Sequence, residues 1–367
     1  MNRHMKITLF IGSLYGGGAE RVSCNLASYL AQKGHQVEIL TMSETEETYE
    51  LDKKVTIKTL LPLSKRKNKL WNMVIRFPKF WRYLKTTNND VYIVMLPKTI
   101  IMLLSFKWMT KAKIIAAERA DPAAYSNKIA RLLRICASKA DGFVFQTEEA
   151  LTWYGKTLQK VKTKVIPNAI NPIFIRPYYT GERKKVIAGV GRLNEQKNFA
   201  LLINAFAMLA SDFKDYKLII YGKGEKKKEL ENLAAGYGLQ DRILFPGNIR
   251  NIAEEMEKNS VFVLSSNYEG MPNALMEAMA LGLPCISTDC PVGGPKYLIK
   301  NGINGLLVPI KNKEAMAMAI RKILTDPEKA LKMGSEATKI SNELSPDKIY
   351  SQWEAFCLKV IKDNNNC

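Results

Sequence analysis

The hydrophobic pattern switches between two periods from the first residues onward. Residues 6–12 form a short apolar run, 19–33 repeat apolar side chains at helical spacing, and 37–41 return to a run of strand length. Within the helical stretch Val22, Leu26, Tyr29 and Leu30 fall at i, i+4, i+7 and i+8, one face for a sheet, while Glu20, Arg21 and Lys33 point elsewhere. Strand, helix and strand, joined by a glycine turn at 16–18 and by Gly34-His35, make a βαβ unit. Buried-strand runs at 91–96, 113–117 and 142–146, each followed by helical or turn-rich sequence, extend it into a parallel, doubly wound sheet.

The alternation pauses over 165–182, where Pro167, Pro172 and Pro177 interrupt it, and the domain boundary is placed there. It then restarts. Strands are predicted at 186–190, 217–221, 243–245, 261–264, 285–287 and 306–308, with helices near 198–211, 225–236, 251–258, 273–281 and 313–324, a second Rossmann-like domain. A last helix, 347–361, has Ile349, Trp353, Phe356 and Val360 on one face and fits against either domain. The expected domains are 1–175 and 182–345, followed by a C-terminal helix within 346–367 able to pack back on the first.

Composition narrows the class. A chain of 367 residues, 47% apolar and 25% charged, can bury two sizeable cores, which excludes disordered and collagen-like classes. Its six cysteines, Cys24, Cys136, Cys285, Cys290, Cys357 and Cys367, are scattered without a CxxC pair, and the two histidines add little, so no zinc site is expected. The apolar run at 7–11 soon meets glycines and is too short for a signal peptide; 91–109 is broken by Pro97, Lys98 and Lys107. A cytoplasmic chain without a membrane span is expected. Its charge is lopsided: residues 1–170 hold 28 Lys and Arg against 13 Asp and Glu, and residues 171–367 hold 27 against 22. The first half is therefore suited to an anionic partner.

Folds of this kind bind ligands at the C-terminal ends of their strands, in a cleft between the two domains. Three strand-end loops carry suitable chemistry. In 191–198, Arg192 and Lys197 sit five apart before a helix, a guanidinium and an ammonium for a diphosphate, with Gly191 opening the loop. In 269–278, Glu269 and Glu277 lie eight apart around Pro272, expected in the first turn of a helix, among apolar Met271, Leu275 and Met279. In 16–18, three glycines allow backbone amides to approach a phosphate, or make only a tight turn.

Taken in order, these pieces resemble family 4 of the glycosyltransferases, retaining enzymes of GT-B fold, over essentially the whole chain. The matching features are Gly191-Arg192-Leu193 with Glu195 and Lys197, the 222–225 turn, Phe245-Pro246-Gly247-Asn248, the E-x7-E pair Glu269 and Glu277, Gly293-Gly294-Pro295, the 16–21 glycine loop and Ile166-Pro167-Asn168. The resemblance implies an α/β architecture of two Rossmann-like domains facing a central cleft, the first for the acceptor and the second for a nucleotide sugar. It implies that Glu269, Arg192 and Lys197 are catalytic, Glu269 at the donor sugar and the two cations at the diphosphate. Donor binding would fall to Gly17, Gly18, Arg119, Asn168, Gly191, Asn248, Gly270, Met271, Asn273 and Glu277, the last on the ribose hydroxyls. No cofactor or metal is implied, and no D-x-D occurs in the chain. Two positions depart from the pattern: 118–122 reads Glu-Arg-Ala-Asp-Pro where the family often has a histidine, and Tyr297 stands where it commonly has Glu. Arg119 is expected either to take the histidine's place as a phosphate or hydroxyl partner or to pair with Glu118 or Asp121 in a structural turn. His35 is expected to be structural.

The acceptor side is marked by 64–85, where Lys65, Arg66, Lys67, Lys69 and Arg76 interleave with Trp71 and Trp81 and no acid occurs. This suits an anionic membrane surface, although a core helix with a solvated basic face has the same composition. The expected reaction moves a hexose or N-acetylhexosamine from a nucleotide-diphosphate sugar, with UDP the expected nucleotide, to a polyprenyl-diphosphate-linked saccharide at the inner membrane face, with no nucleic acid involved. A nucleotide-sugar 2-epimerase shares the fold but needs ionisable groups beside the sugar. A basic surface-binding protein would account for the charge but not for Arg192, Lys197, Glu269 and Glu277 together.

Overall fold

The computed structural model of the chain describes residues 4–14, 17–45, 49–65 and 68–362, and of Lys65, Lys69, Leu70 and Met73 the backbone only. The chain divides into two compact units, one made of Met1–Asn168 with Asp347–Cys367, the other of Ala169–Pro346.

Among the described residues the first unit holds seven strands: β1 Lys6–Ile11, β2 Gln36–Thr41, β3 Thr56–Thr59, β4 Val91–Met95, β5 Lys113–Ala117, β6 Gly142–Phe145 and β7 Lys162–Val165. They pair in parallel in the order β3-β2-β1-β4-β5-β6-β7, with Ile7 opposite both Val37 and Val91. The order reverses between β1 and β4, the switch point of a doubly wound sheet. Inner strands covered on both faces are mostly apolar, and every residue of β4 is buried. The sequence pattern did not predict β3 and β7. Both are edge strands, Thr-Ile-Lys-Thr and Lys-Thr-Lys-Val, whose half-exposed polar side chains erase the apolar signal.

The C-terminal helix Pro346–Lys362 packs into this first unit from Asp347 onward, burying Trp353, Phe356 and Val360. Gly142 at the start of β6 admits it, since a Cβ there would lie 3.0 Å from both Phe356 and Val360. His35 is part of the same packing. Its Nδ1 accepts the Met5 amide at 3.2 Å, which leaves the proton on Nε2 for Glu354 at 3.0 Å, a structural role.

The second unit holds six parallel strands among the described residues: β8 Lys184–Val190, β9 Lys217–Tyr221, β10 Ile243–Gly247, β11 Asn259–Leu264, β12 Cys285–Thr288 and β13 Leu306–Val308. Their order is β10-β9-β8-β11-β12-β13, with the reversal between β8 and β11. Phe199, Leu202 and Phe206 of the helix Phe199–Ala207 pack with Leu218, Ile220 and Val263 in its core. No described helix is long and apolar enough to cross a membrane.

Candidate functional site

The switch point of the second unit is built by two loops held side by side, the one after β8 and the one after β11. Asn198 adopts a left-handed backbone (φ 44°) and caps the helix Phe199–Ala207. Across the gap the Asn267 amide donates to the Gln196 carbonyl (2.8 Å), Asn267 Nδ2 to the Glu195 carbonyl (2.8 Å) and Gln196 Nε2 to the Tyr268 carbonyl (3.1 Å). Ser265 Oγ donates to the Lys197 carbonyl at 2.9 Å. This lacing brings Lys197 Nζ within 2.5 Å of Glu269 Oε1, an oxygen that also accepts from Ser266 Oγ at 2.6 Å. Glu269 is only 5% exposed. A carboxylate so placed needs a cation and a donor to offset its lost hydration, and it has both.

Behind them the β8 loop rests directly on the β9 loop. A Cβ at Gly222 (φ 139°) would lie 1.9 Å from the Gly191 carbonyl oxygen, and one at Gly224 would lie 2.2 Å from that of Leu193. Leu193 in turn donates its amide to the Lys223 carbonyl at 2.9 Å. Arg192 beside it is exposed and has no ion pair among the described residues. Lys197 and Glu269 are thus in contact, and Arg192 lies five residues from Lys197 on the same loop.

Of the remaining positions in this unit, Gly270 and Met271 are buried directly after Glu269, and Asn273 opens the helix Asn273–Ala280. Pro272 is the residue before that helix rather than in its first turn. Glu277 is buried in the second turn. Asn248 is exposed just after β10. Ser266 was missed by the sequence reading; its signal was a serine just beyond a buried strand, three residues before the candidate acid Glu269.

In the first unit Gly18 begins the helix Gly18–Gln32, Gly17 caps it, and the Gly17 carbonyl accepts from Tyr49 at 3.1 Å. Gly16 lies outside the described residues. At the end of β5, Glu118 is fully enclosed. Its Oε1 accepts from the amides of Arg119 (3.0 Å) and Ala120 (3.2 Å) and from Tyr125 (2.5 Å), and its Oε2 accepts from Tyr154 (2.7 Å). Burial pushes the Glu118 carboxyl above the usual range, and these four bonds pull it only part of the way back. Arg119 pairs with neither Glu118 nor Asp121. Its Nη1 donates to Asn168 Oδ1 at 3.1 Å, an oxygen shared with Gln146 Nε2 at 2.8 Å, and its guanidinium lies 5.0 Å from the Trp353 ring centre. Burial lowers Arg119 to about 10, against the opposing influence of Tyr350 and Glu118.

The basic segment folds as the helix Lys69–Thr86, opened by Asn68, whose side chain accepts the Trp71 amide at 2.9 Å. Phe80 and Leu84 face the core, Phe80 stacking on Phe10 at 5.3 Å. Trp71, Val74, Phe77 and Trp81 are exposed on another face, and Lys85 Nζ sits 4.1 Å from the Trp81 ring centre. Arg76 donates to Ser43 Oγ at 3.0 Å. Arg66 and Lys67, and the side chains of Lys65 and Lys69, lie outside the described residues, as does Cys367.

Two family models match consecutive parts of the chain, one described as Glycosyltransferase Family 4 over residues 16–173 and one as Glycosyl transferases group 1 over residues 173–340. The chain belongs to the family 4 glycosyltransferases and is an enzyme of that class, with two parallel Rossmann-like units of the GT-B kind. It is 29% identical over 360 residues to an uncharacterized glycosyltransferase of Haemophilus influenzae, covering 96% of this chain and 99% of that one. It is 28% identical over 369 residues to an alpha-1,4-N-acetyl-D-galactosaminyltransferase of Campylobacter jejuni, covering 99% of both; that relative's name describes an undecaprenol-diphosphate-linked acceptor. The solved structure of HepE from Anabaena in complex with UDP-glucose superposes with a TM-score of 0.80 at 19% identity, over 97% of this chain and 100% of that one.

Proposed function

We propose that the protein is a retaining, metal-independent glycosyltransferase that moves a hexose or N-acetylhexosamine from UDP to a polyprenyl-diphosphate-linked saccharide. The product would serve bacterial surface polysaccharide or glycan assembly. The observation that carries this reading is the contact between Lys197 and Glu269, which holds a cation and an acid together at the switch point of the second unit. Breaking a sugar–phosphate bond places negative charge on the departing diphosphate, and fixed cations stabilise that charge in the transition state. An ammonium has three N–H donors, so Lys197 can keep Glu269 with one and meet phosphate oxygens with the others, beside the exposed guanidinium of Arg192. Glu269, fixed by Lys197 and Ser266, orients the anomeric carbon through the sugar hydroxyls. Glu277 serves the ribose hydroxyls; Gly191, Asn248, Gly270, Met271 and Asn273 complete the nucleotide side, and Gly17, Gly18, Arg119 and Asn168 are the first unit's share of donor binding. The Campylobacter relative's acceptor and the UDP-glucose bound by HepE support the choice of substrates.

The acceptor's lipid places the enzyme on the inner face of the membrane. Exposed Trp71, Val74, Phe77 and Trp81, with Trp108 at 77% exposure on the neighbouring turn Lys107–Met109, form the apolar part of the contact, and the basic run from Lys65 to Lys69 meets anionic headgroups. Neutralising Lys65, Arg66, Lys67 and Lys69 should weaken binding to anionic vesicles in a sedimentation assay and leave UDP binding unchanged; undiminished vesicle binding would remove the segment from the membrane contact. The reaction itself is tested by nucleotide release from a panel of UDP-, GDP- and ADP-sugars in chelator, with a bacterial membrane extract as acceptor source. Turnover of one donor that requires the extract and is lost in Glu269→Ala is expected, with UDP binding retained. Donor turnover without acceptor, or equal turnover by Glu269→Ala, would overturn the reading.

A further inference from the structure

Arg119 is a buried cation that its surroundings use only in part. It is 9% exposed, it gives Nη1 to Asn168, and its Nε and Nη2 are enclosed without a hydrogen-bond partner. Those two nitrogens form a pair. Nη1 is the nitrogen on the same side as Cδ, so the N–H of Nε and one N–H of Nη2 run parallel along the opposite edge, the edge that grips a planar or tetrahedral oxyanion with two bonds.

The acids nearest in sequence do not fill this edge. The Glu118 amide still donates to the Val144 carbonyl at 2.9 Å, which carries strand pairing one residue past β5. Glu118 is already occupied by Tyr125, Tyr154 and two amides. Asp121 is engaged with the Ala123 amide at 2.8 Å. The Asn168 oxygen that anchors Nη1 is fixed in turn by Gln146, and Trp353 lies against the guanidinium. Everything around the cation orients it, and among the described residues no acid forms an ion pair with it or takes its Nε–Nη2 edge, an arrangement that is unfavourable unless a ligand brings the charge.

We propose that the Nε–Nη2 edge of Arg119 is a bidentate site for a phosphate-type oxyanion, in addition to the cations Arg192 and Lys197 of the second unit. The choice of phosphate rests on the glycosyltransfer reading above, which supplies it from two sources, the diphosphate of the nucleotide sugar and that of the lipid-linked acceptor. Asn168 and Trp353 are positioning residues for this edge, and Glu118 fixes the backbone from which it projects.

The test uses the full-length chain. In an Arg192→Ala/Lys197→Ala background, binding of inorganic diphosphate is measured by titration calorimetry, alone and with Arg119→Lys added, a change that keeps the charge and removes the paired edge. Residual binding that weakens by about tenfold or more on adding Arg119→Lys is expected, as for loss of a charge-assisted hydrogen bond. This measurement needs no turnover, so it stands even if glycosyl transfer itself fails. In the otherwise native enzyme the two sources separate. A rise in KM confined to the lipid-linked acceptor assigns the oxyanion to the acceptor, and a rise confined to the nucleotide sugar, with matching loss of UDP affinity, assigns it to the donor. Arg119→Gln provides the neutral comparison. Diphosphate binding and both KM values unchanged in Arg119→Lys, with native circular dichroism, would overturn the proposal.

Discussion

Each unit buries a glutamate just beyond the end of a buried strand, yet the two are satisfied in opposite ways. Glu269 is held by a lysine ammonium and a serine hydroxyl; Glu118 is held by two tyrosine hydroxyls and two backbone amides, with the arginine next to it left unpaired. A carboxylate satisfied by a flexible cation can share that cation with an incoming phosphate. One satisfied by rigid neutral donors cannot, and serves to fix the loop that carries it. Burial and residue type are the same in both places; the character of the partner separates an acid that can engage a substrate from one that holds a shape.

The sharpest way to break this contrast is kinetic. Glu269→Gln should lower kcat by about 10²–10³ while the melting temperature hardly moves, because an amide still accepts from Lys197 and Ser266. Paired kinetic and melting measurements check this. Stability should respond in the reverse order, with Glu118→Gln losing roughly 2–3 kcal/mol in urea unfolding, since its NH₂ replaces one of the two accepting oxygens and cannot accept the bond that oxygen received, at the least that of Tyr154. Equal stability losses in the two variants would erase the distinction. Tyr154→Phe removes one of the four donors and should cost about 1.5 kcal/mol in the same assay.

The smallest effect is on pH dependence. Burial raises Glu118 in the native state, so between about pH 4.3, the unfolded value, and the raised native value the folded chain holds a proton that the unfolded chain has released. Its contribution is complete below that window and is lost as pH rises through it. Unfolding curves across the window should therefore show a falling component that Glu118→Gln flattens.

Much of this was legible in the order of residues. The inner strands announce themselves as apolar runs, and the loops after β8 and β11 carry their cations and acids at readable spacings. What could not be read were pairings across long separations. Lys197 and Glu269 lie 72 residues apart, and Glu118 and Tyr154 lie 36 apart. Sequence neighbourhood offered Glu118 or Asp121 as a partner for Arg119, but Glu118 is taken by two tyrosines and two amides and Arg119 bonds Asn168, 49 residues away. Edge strands β3 and β7 escaped because neither buries a residue fully, so polar side chains interrupt the pattern.

The C-terminal helix that packs beside β6 also sets a timetable for synthesis. The second unit is one uninterrupted stretch, Ala169–Pro346, whereas the first needs residues from both before and after it. On the ribosome the middle of the message is therefore ready to fold before the beginning. Until Trp353, Phe356 and Val360 have emerged, the nascent first unit exposes the apolar surface they will cover, the period in which a chaperone would find it most attractive.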